Sequence, residues 1–217
     1  KHETMALSDK QRQKKLQRKK KKRQSVKSPI SKNRMTEDKA VQYANYPIHE
    51  CIVPNGLFET GVGTASVSRR LSADKIALAG FVLDVFCLGV KNALFRVVSD
   101  SEYEYYKSNL LDSHEGQSLE IIHPTSARKL IEGAVAYADN LGFKPHRDYK
   151  NAKELFGKID SQASPVKYDF GKDAKPFYMQ GPHETDEQAR NIMNKLHRKC
   201  GEGNYHFLME VGENSFE

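Results

Sequence analysis

The side chains best placed to do chemistry in this sequence are Asp84, Cys87, His49, Cys51 and His123. Asp84 and Cys87 fall in LDVFCLGVKNA (Leu83 to Ala93), where a carboxylate interrupts an apolar run. A carboxylate in such surroundings is costly unless it is paired, protonated or metal-bound. Two functional readings follow: an acid with a raised pKa, or a metal ligand of the kind found on the first strand of a nuclease-like sheet. The structural alternative has Asp84 held by a neighbouring loop or by Arg69, Arg70 or Arg96, and is the commoner outcome for such residues. A two-metal site needs several converging carboxylates, and this run supplies one.

HEC (His49 to Cys51) spaces a histidine and a cysteine two residues apart, on one face of a strand. That is half of a zinc site if Cys87 and His123 complete it, or a Cys–His nucleophile pair in a thiol hydrolase. Neither spacing is diagnostic, and buried cysteines usually behave as small hydrophobes. No cofactor and no metal are therefore expected; His49 and Cys51 are the residues a metal would use. His123, just before Pro124, is expected to help cap a helix. GVGTAS (Gly61 to Ser66) and GKDAKP (Gly171 to Pro176) lack the spacing of a phosphate-binding loop and read as a bend and a turn. The rings of EYEYY (Glu102 to Tyr106) are flanked by acids that would repel phosphates, so core packing is expected of them.

The elements that must hold these groups are legible from periodicity. A short helix is predicted over Thr36 to Asn45, capped by Thr36 and ended by Pro47. Strands follow at Ile48 to Val53, Val62 to Leu71, Ile76 to Leu88 and Ala93 to Val98, the third apolar on both faces and so central and buried. Helices are predicted at Ser101 to Leu111, Thr125 to Leu141 and Tyr149 to Phe156. The second carries a stripe of Leu130, Ile131, Ala134, Val135, Ala138 and Leu141, with Gly142 where a left-handed C-terminal residue belongs. Val166 to Phe170 and Lys175 to Gln180 are expected to form a hairpin. Thr185-x-x-Gln188 is a capping box opening a helix through Lys199, and a last strand runs from Tyr205 to Val211. The expected fold is α+β: a strand-rich first half, a helical middle and a C-terminal β-β-α-β unit. Its divisions are a tail (1–34), a body (35–160) and a subdomain packed on the body (161–217).

Charge is distributed unevenly over these divisions. The chain has 35 Lys and Arg against 28 Asp and Glu, a net +7. Leu7 to Arg34 holds 13 bases and one acid, whereas Met35 to Glu217 is acidic by 5. The tail has almost nothing apolar to bury, so it is expected to be disordered, or helical once its charge is neutralised. Lys14, Lys15, Arg18, Lys19, Lys20, Lys21, Lys22 and Arg23 form its densest run, and the partner this implies is nucleic acid or a ribonucleoprotein. No aromatic residue precedes Tyr43, so the tail would grip phosphates without reading bases. An acidic protein surface is the competing partner for it. Leu16 alone gives the run no apolar face, so a membrane is not expected.

The longest apolar run, Ile76 to Val90, is broken by Asp84 and falls short of a membrane span. Three cysteines without a C-x-x-C pair argue against a disulfide framework, and no signal-peptide pattern is seen. Met5 is read as the natural start, and a cytoplasmic setting is expected. The phrases IHEC, VLDVFCLGVKNA, KLIEGAVAYADNLGFKPHRDY, FGKDAKPFYMQGP and GEGNYHFL resemble an uncharacterised bacterial family that also carries a basic tail before its body. The resemblance spans roughly Tyr46 to Val211. It implies a bacterial, cytoplasmic protein and transfers no functional residue.

The leading expectation is an accessory binding protein whose tail grips nucleic acid and whose acidic body docks a protein partner. A metal-dependent or thiol hydrolase centred on Asp84, Cys87 and His49, with His123 or Cys51 assisting, is the alternative. A subunit that binds only protein is the third reading.

Overall fold

The computed structural model describes residues 39–112, 118–182 and 184–209. The chain divides into two units, Lys1–Glu37 and Asp38–Glu217. The first lies outside the described residues, and with it the basic run and the predicted Thr36 cap.

The body opens with a 3-10 turn, Ala40–Tyr43, in place of the predicted helix. Strand β1, Ile48–Pro54, leads into a one-turn helix α1, Leu57–Thr60. An antiparallel meander follows: β2 (Val62–Arg70), β3 (Lys75–Asp84) and β4 (Gly89–Ser99). Helix α2 spans Asp100–Asp112, strand β5 Leu119–Ile121 and helix α3 Pro124–Asn140. Helix α4, Tyr149–Ala152, continues as a 3-10 turn, Lys153–Phe156. The chain then forms β6 (Phe177–Met179), helix α5 (Asp186–Cys200) and β7 (His206–Leu208).

Five strands form one antiparallel sheet in the order β4-β3-β2-β1-β5. The mixed α+β class holds. The strand rich in apolar residues, β3, is paired on both edges, though β2 occupies the middle of the sheet. Alternation gives the sheet two different faces. On one, Ala65, Val67, Ala77, Ala79, Phe81 and Leu83 meet the α3 stripe of Leu130, Ile131 and Ala134 in the main core. The alanines leave room there for Phe81 to meet Phe156 and Tyr149 at centroid distances of 5.5 and 6.0 Å.

On the opposite face α2 covers an apolar cluster of Ile76, Leu78 and Tyr103, flanked by Leu94 and Val98, and beside it a row of small polar groups. The Tyr106 hydroxyl lies 2.6 Å from Ser66 Oγ, and that of Tyr103 lies 3.1 Å from Ser68 Oγ. Gly80 makes the approach possible, since a Cβ there would stand 2.7 Å from the Tyr106 oxygen. Two tyrosines of EYEYY, three residues apart, therefore point inward, and Tyr105 is exposed.

The C-terminal unit differs from the expected hairpin. Val166 to Phe170 lies outside any strand, and GKDA closes a tight turn in which Lys172 bridges Lys175. β6 instead pairs in parallel with β7, Phe177 opposite His206, so α5 is the crossover between them. The capping box on α5 forms as predicted: Thr185 accepts from the Gln188 amide, and Gln188 accepts from the Thr185 amide. Ala189 and Leu196 of α5 join Tyr178, Cys87, Ala138 and Phe143 in a second apolar cluster, so these last elements pack on the β3–β4 turn and on α3 within the one unit from Asp38.

Candidate functional site

Asp84 ends β3 and organises the turn into β4. Its Oδ1 accepts from the amides of Phe86 and Cys87 at 3.1 and 2.8 Å. Gly89 closes the turn with φ +67°, and a Cβ there would meet the Ala134 carbonyl and the Ala138 methyl at 2.7 Å. The sequence D-V-F-C-L-G is thus a turn formula, an acceptor at its start and a glycine where the backbone presses on α3. The same turn anchors the C-terminal unit. The Gly171 amide donates to Val85 O at 3.0 Å and the Phe177 amide to Phe86 O at 3.1 Å. Burial pushes the Asp84 carboxyl up to about 6, and the nearby Lys91 charge and the turn amides only partly offset it. Of the readings open to Asp84, the loop-held carboxylate is the geometry found. None of the three arginines holds it: Arg69 faces the opposite end of the sheet, Arg70 pairs with Asp100, and Arg96 is exposed.

His49 stands far from this turn. β1 pairs with β2 near Arg69, whereas Asp84 faces Val62 at the other end of β2. Seven residues separate those positions, about 23 Å along a strand. A bulge between Ile48 and Cys51 also breaks the expected shared face. His49 packs edge-on against Tyr103, 5.4 Å between centroids, with an Arg70 nitrogen 3.1 Å from its Nε2. Burial, aided by the Arg70 charge, lowers its pKa. Cys51 points into the main core instead, and burial raises its thiol to about 12. Cys87, in the second cluster, is likewise pushed up by burial and by the Asp84 charge. A nucleophilic thiol requires the opposite shift.

His123 acts as the helix cap predicted for it: its Nδ1 accepts from the Thr125 amide at 3.3 Å and lies 2.7 Å from the Thr125 hydroxyl. His49, Cys51, Cys87 and His123 thus occupy four separate surroundings. Among the described residues no group of three or more His, Cys, Asp or Glu is placed to hold a metal ion.

Two arrangements were not foreseen. The first is Arg69, 5% exposed, which donates to the carbonyls of Leu155 and Phe156 at 2.8 Å each and to that of Tyr46. It ties the segments on either side of the core to β2, and among the described residues no carboxylate pairs with it. The second is a groove of about 500 Å³ between the β1–β5 edge, α1 and the start of α3. Phe58 and Tyr168 stack across it at 5.7 Å, 7° from parallel, and the Tyr168 hydroxyl donates to Ser126 O at 3.2 Å. Pro54, Leu57, Ile122 and Leu130 also line it, with Glu59 and Glu120 supplying its carboxylates. The sequence offers for this site only SLEII (118–122), beside the α3 cap, a stretch too short to mark a strand by its period.

No family model, curated protein or solved structure matches the chain. Among the described residues no helix is long and apolar enough to cross a membrane.

Proposed function

We propose that this chain is a nucleic-acid- or ribonucleoprotein-associated binding protein, in which the basic tail neutralises phosphates and the acidic body docks a protein partner. The observation that carries it is the segregation of charge: 13 bases and one acid between Leu7 and Arg34, against a body acidic by 5. Lys14, Lys15, Arg18, Lys19 to Lys22 and Arg23 act together, each phosphate contact releasing counterions. Binding, rather than hydrolysis, is favoured by the dispersal of His49, Asp84 and His123 and by the raised thiols of Cys51 and Cys87. A cytoplasmic, bacterial setting fits the family resemblance, and three free thiols, Cys51, Cys87 and Cys200, suit a reducing compartment.

The test is a salt titration of labelled single-stranded RNA and duplex DNA on the full chain, followed by fluorescence anisotropy. For duplex DNA, these eight cations, if all are engaged, give a slope of log K on log salt of about −7. Affinity should also be nearly independent of base sequence. A flat salt dependence, or strong sequence discrimination, would overturn the proposal.

A further inference from the structure

The strand order leaves β5 at the end of the five-stranded sheet, beside the groove. Its pairing with β1 fixes which way its amides face. The Ile122 amide donates to Cys51 O at 2.9 Å and the Asn55 amide donates to Ser118 O at 2.8 Å, with Val53 opposite Glu120 between them. Residues 118, 120 and 122 therefore turn their backbone groups toward β1. Leu119 and Ile121, opposite Pro54 and Ile52, turn their backbone groups outward, and among the described residues no strand lies on that side of β5. An edge of this kind is a template for another strand, and native chains usually blunt it with charge, proline or a covering element. Here the Ile121 side chain is 69% exposed and Val166, across the groove, 39%.

We propose that the outer edge of β5 and the adjoining groove form a docking site for an extended basic and apolar peptide segment of a partner protein, added as a further strand. This rests on the reading of the body as a protein-docking module and gives that module a place and a ligand chemistry. Strand addition supplies affinity through main-chain hydrogen bonds and specificity through alternate side chains. The stacked rings of Phe58 and Tyr168 offer an apolar seat of fixed shape for one set of side chains. Glu59 and Glu120 are both exposed, and among the described lining residues there is no lysine or arginine. Glu120 shares its face of the sheet with Val53, Ile122 and the Phe58 and Tyr168 rings. The same set is therefore matched by Lys or Arg, whose stems lie on the rings, and the other set packs beside the exposed Ile121. The volume, about 500 Å³, lies in the range of ordinary ligand sites and accommodates a few side chains.

The test uses the full chain and a fluorescent, acetylated Lys-Val-Lys-Val-Lys-Val amide, with the same peptide methylated on every backbone amide as control. The unmethylated peptide should bind saturably and the methylated one at least tenfold more weakly. Ile121→Pro removes an outward amide without touching the β1 ladder, and should weaken binding at least tenfold at an unchanged circular-dichroism spectrum. The double variant Glu59→Lys, Glu120→Lys should do the same, and decides the matter if Ile121→Pro does not fold. Equal binding of the methylated peptide, unchanged binding by a folded variant, or no binding at millimolar peptide would each overturn the site. So would a dimer in sedimentation that Ile121→Pro dissociates, since the edge would then belong to a second copy. RNA binding measured on the same variants separates the two ideas. Peptide binding without RNA binding would sink only the tail reading, and RNA binding without peptide binding only the docking site.

Discussion

Asp84 bears a charge that its surroundings disfavour, and this has a measurable consequence. Its carboxyl titrates near 6 when folded, against an ordinary value of 3.8, so between those values the folded state holds a proton that the unfolded state has released. The contribution is fully present below about pH 4 and is lost as pH rises through 6, roughly 3 kcal/mol in all. Asp84→Asn keeps an acceptor for the Phe86 and Cys87 amides and removes the charge. Relative to the native chain, its stability from urea denaturation should therefore improve between pH 4 and pH 7, by up to about 3 kcal/mol. A difference independent of pH would show that Asp84 is not the titrating group. Arg69 presents the converse case, a charge that cannot be removed without cost. Arg69→Met would leave the carbonyls of Leu155, Phe156 and Tyr46 without their donor, and should cost about 3 kcal/mol or more by the same measurement.

At the scale of elements, local signals were readable and distant pairings were not. The capping box of α5, the α3 stripe and the β2–β3–β4 meander all follow from periodicity over a few residues. Lys175 to Gln180 was correctly extended at its centre, but its partner is β7, some 29 residues away, rather than Val166 to Phe170. Tyr168 and Phe170 alternate like strand residues because both pack on Phe58, which mimics the signature of pairing. The bulge in β1 is the same kind of lesson for the candidate site. An i, i+2 spacing places His49 and Cys51 on one face only where the ladder is regular, and one extra residue separated them. β5, three residues long between a loop and a helix cap, carried too little pattern to be seen. The α2 face is more predictable, since Tyr103 and Tyr106 are three apart. Tyr106→Phe deletes the hydroxyl that meets Ser66 and should cost about 1 kcal/mol, with the sheet intact by amide exchange. No loss at all would mean that Ser66 finds another partner.

At the scale of the whole molecule, an acidic body and a strongly basic tail share one chain, and the function proposed for it is the joint use of both. A polyanion would be attracted by the tail and repelled by the body, so affinity should depend on the tail's charge far more than on any body residue. Free energy of this kind falls with salt and varies little with sequence. Of this reading, the part proposed for the tail rests on composition alone. The docking edge needed the strand order and the direction of two amides, which no local pattern encodes.

The most direct measurement compares RNA binding by the native chain with that of a full-length variant in which Arg18, Lys19, Lys20, Lys21, Lys22 and Arg23 are changed to Gln. Both are titrated with the same labelled single-stranded RNA from low to high salt. The account predicts that the variant loses most of its affinity at low salt, and that its salt slope becomes shallower by about 0.7 for each single-strand phosphate contact removed. Its melting temperature should be unchanged. Undiminished binding with the same salt slope would contradict the account, because the charge of the tail would then have no part in holding nucleic acid.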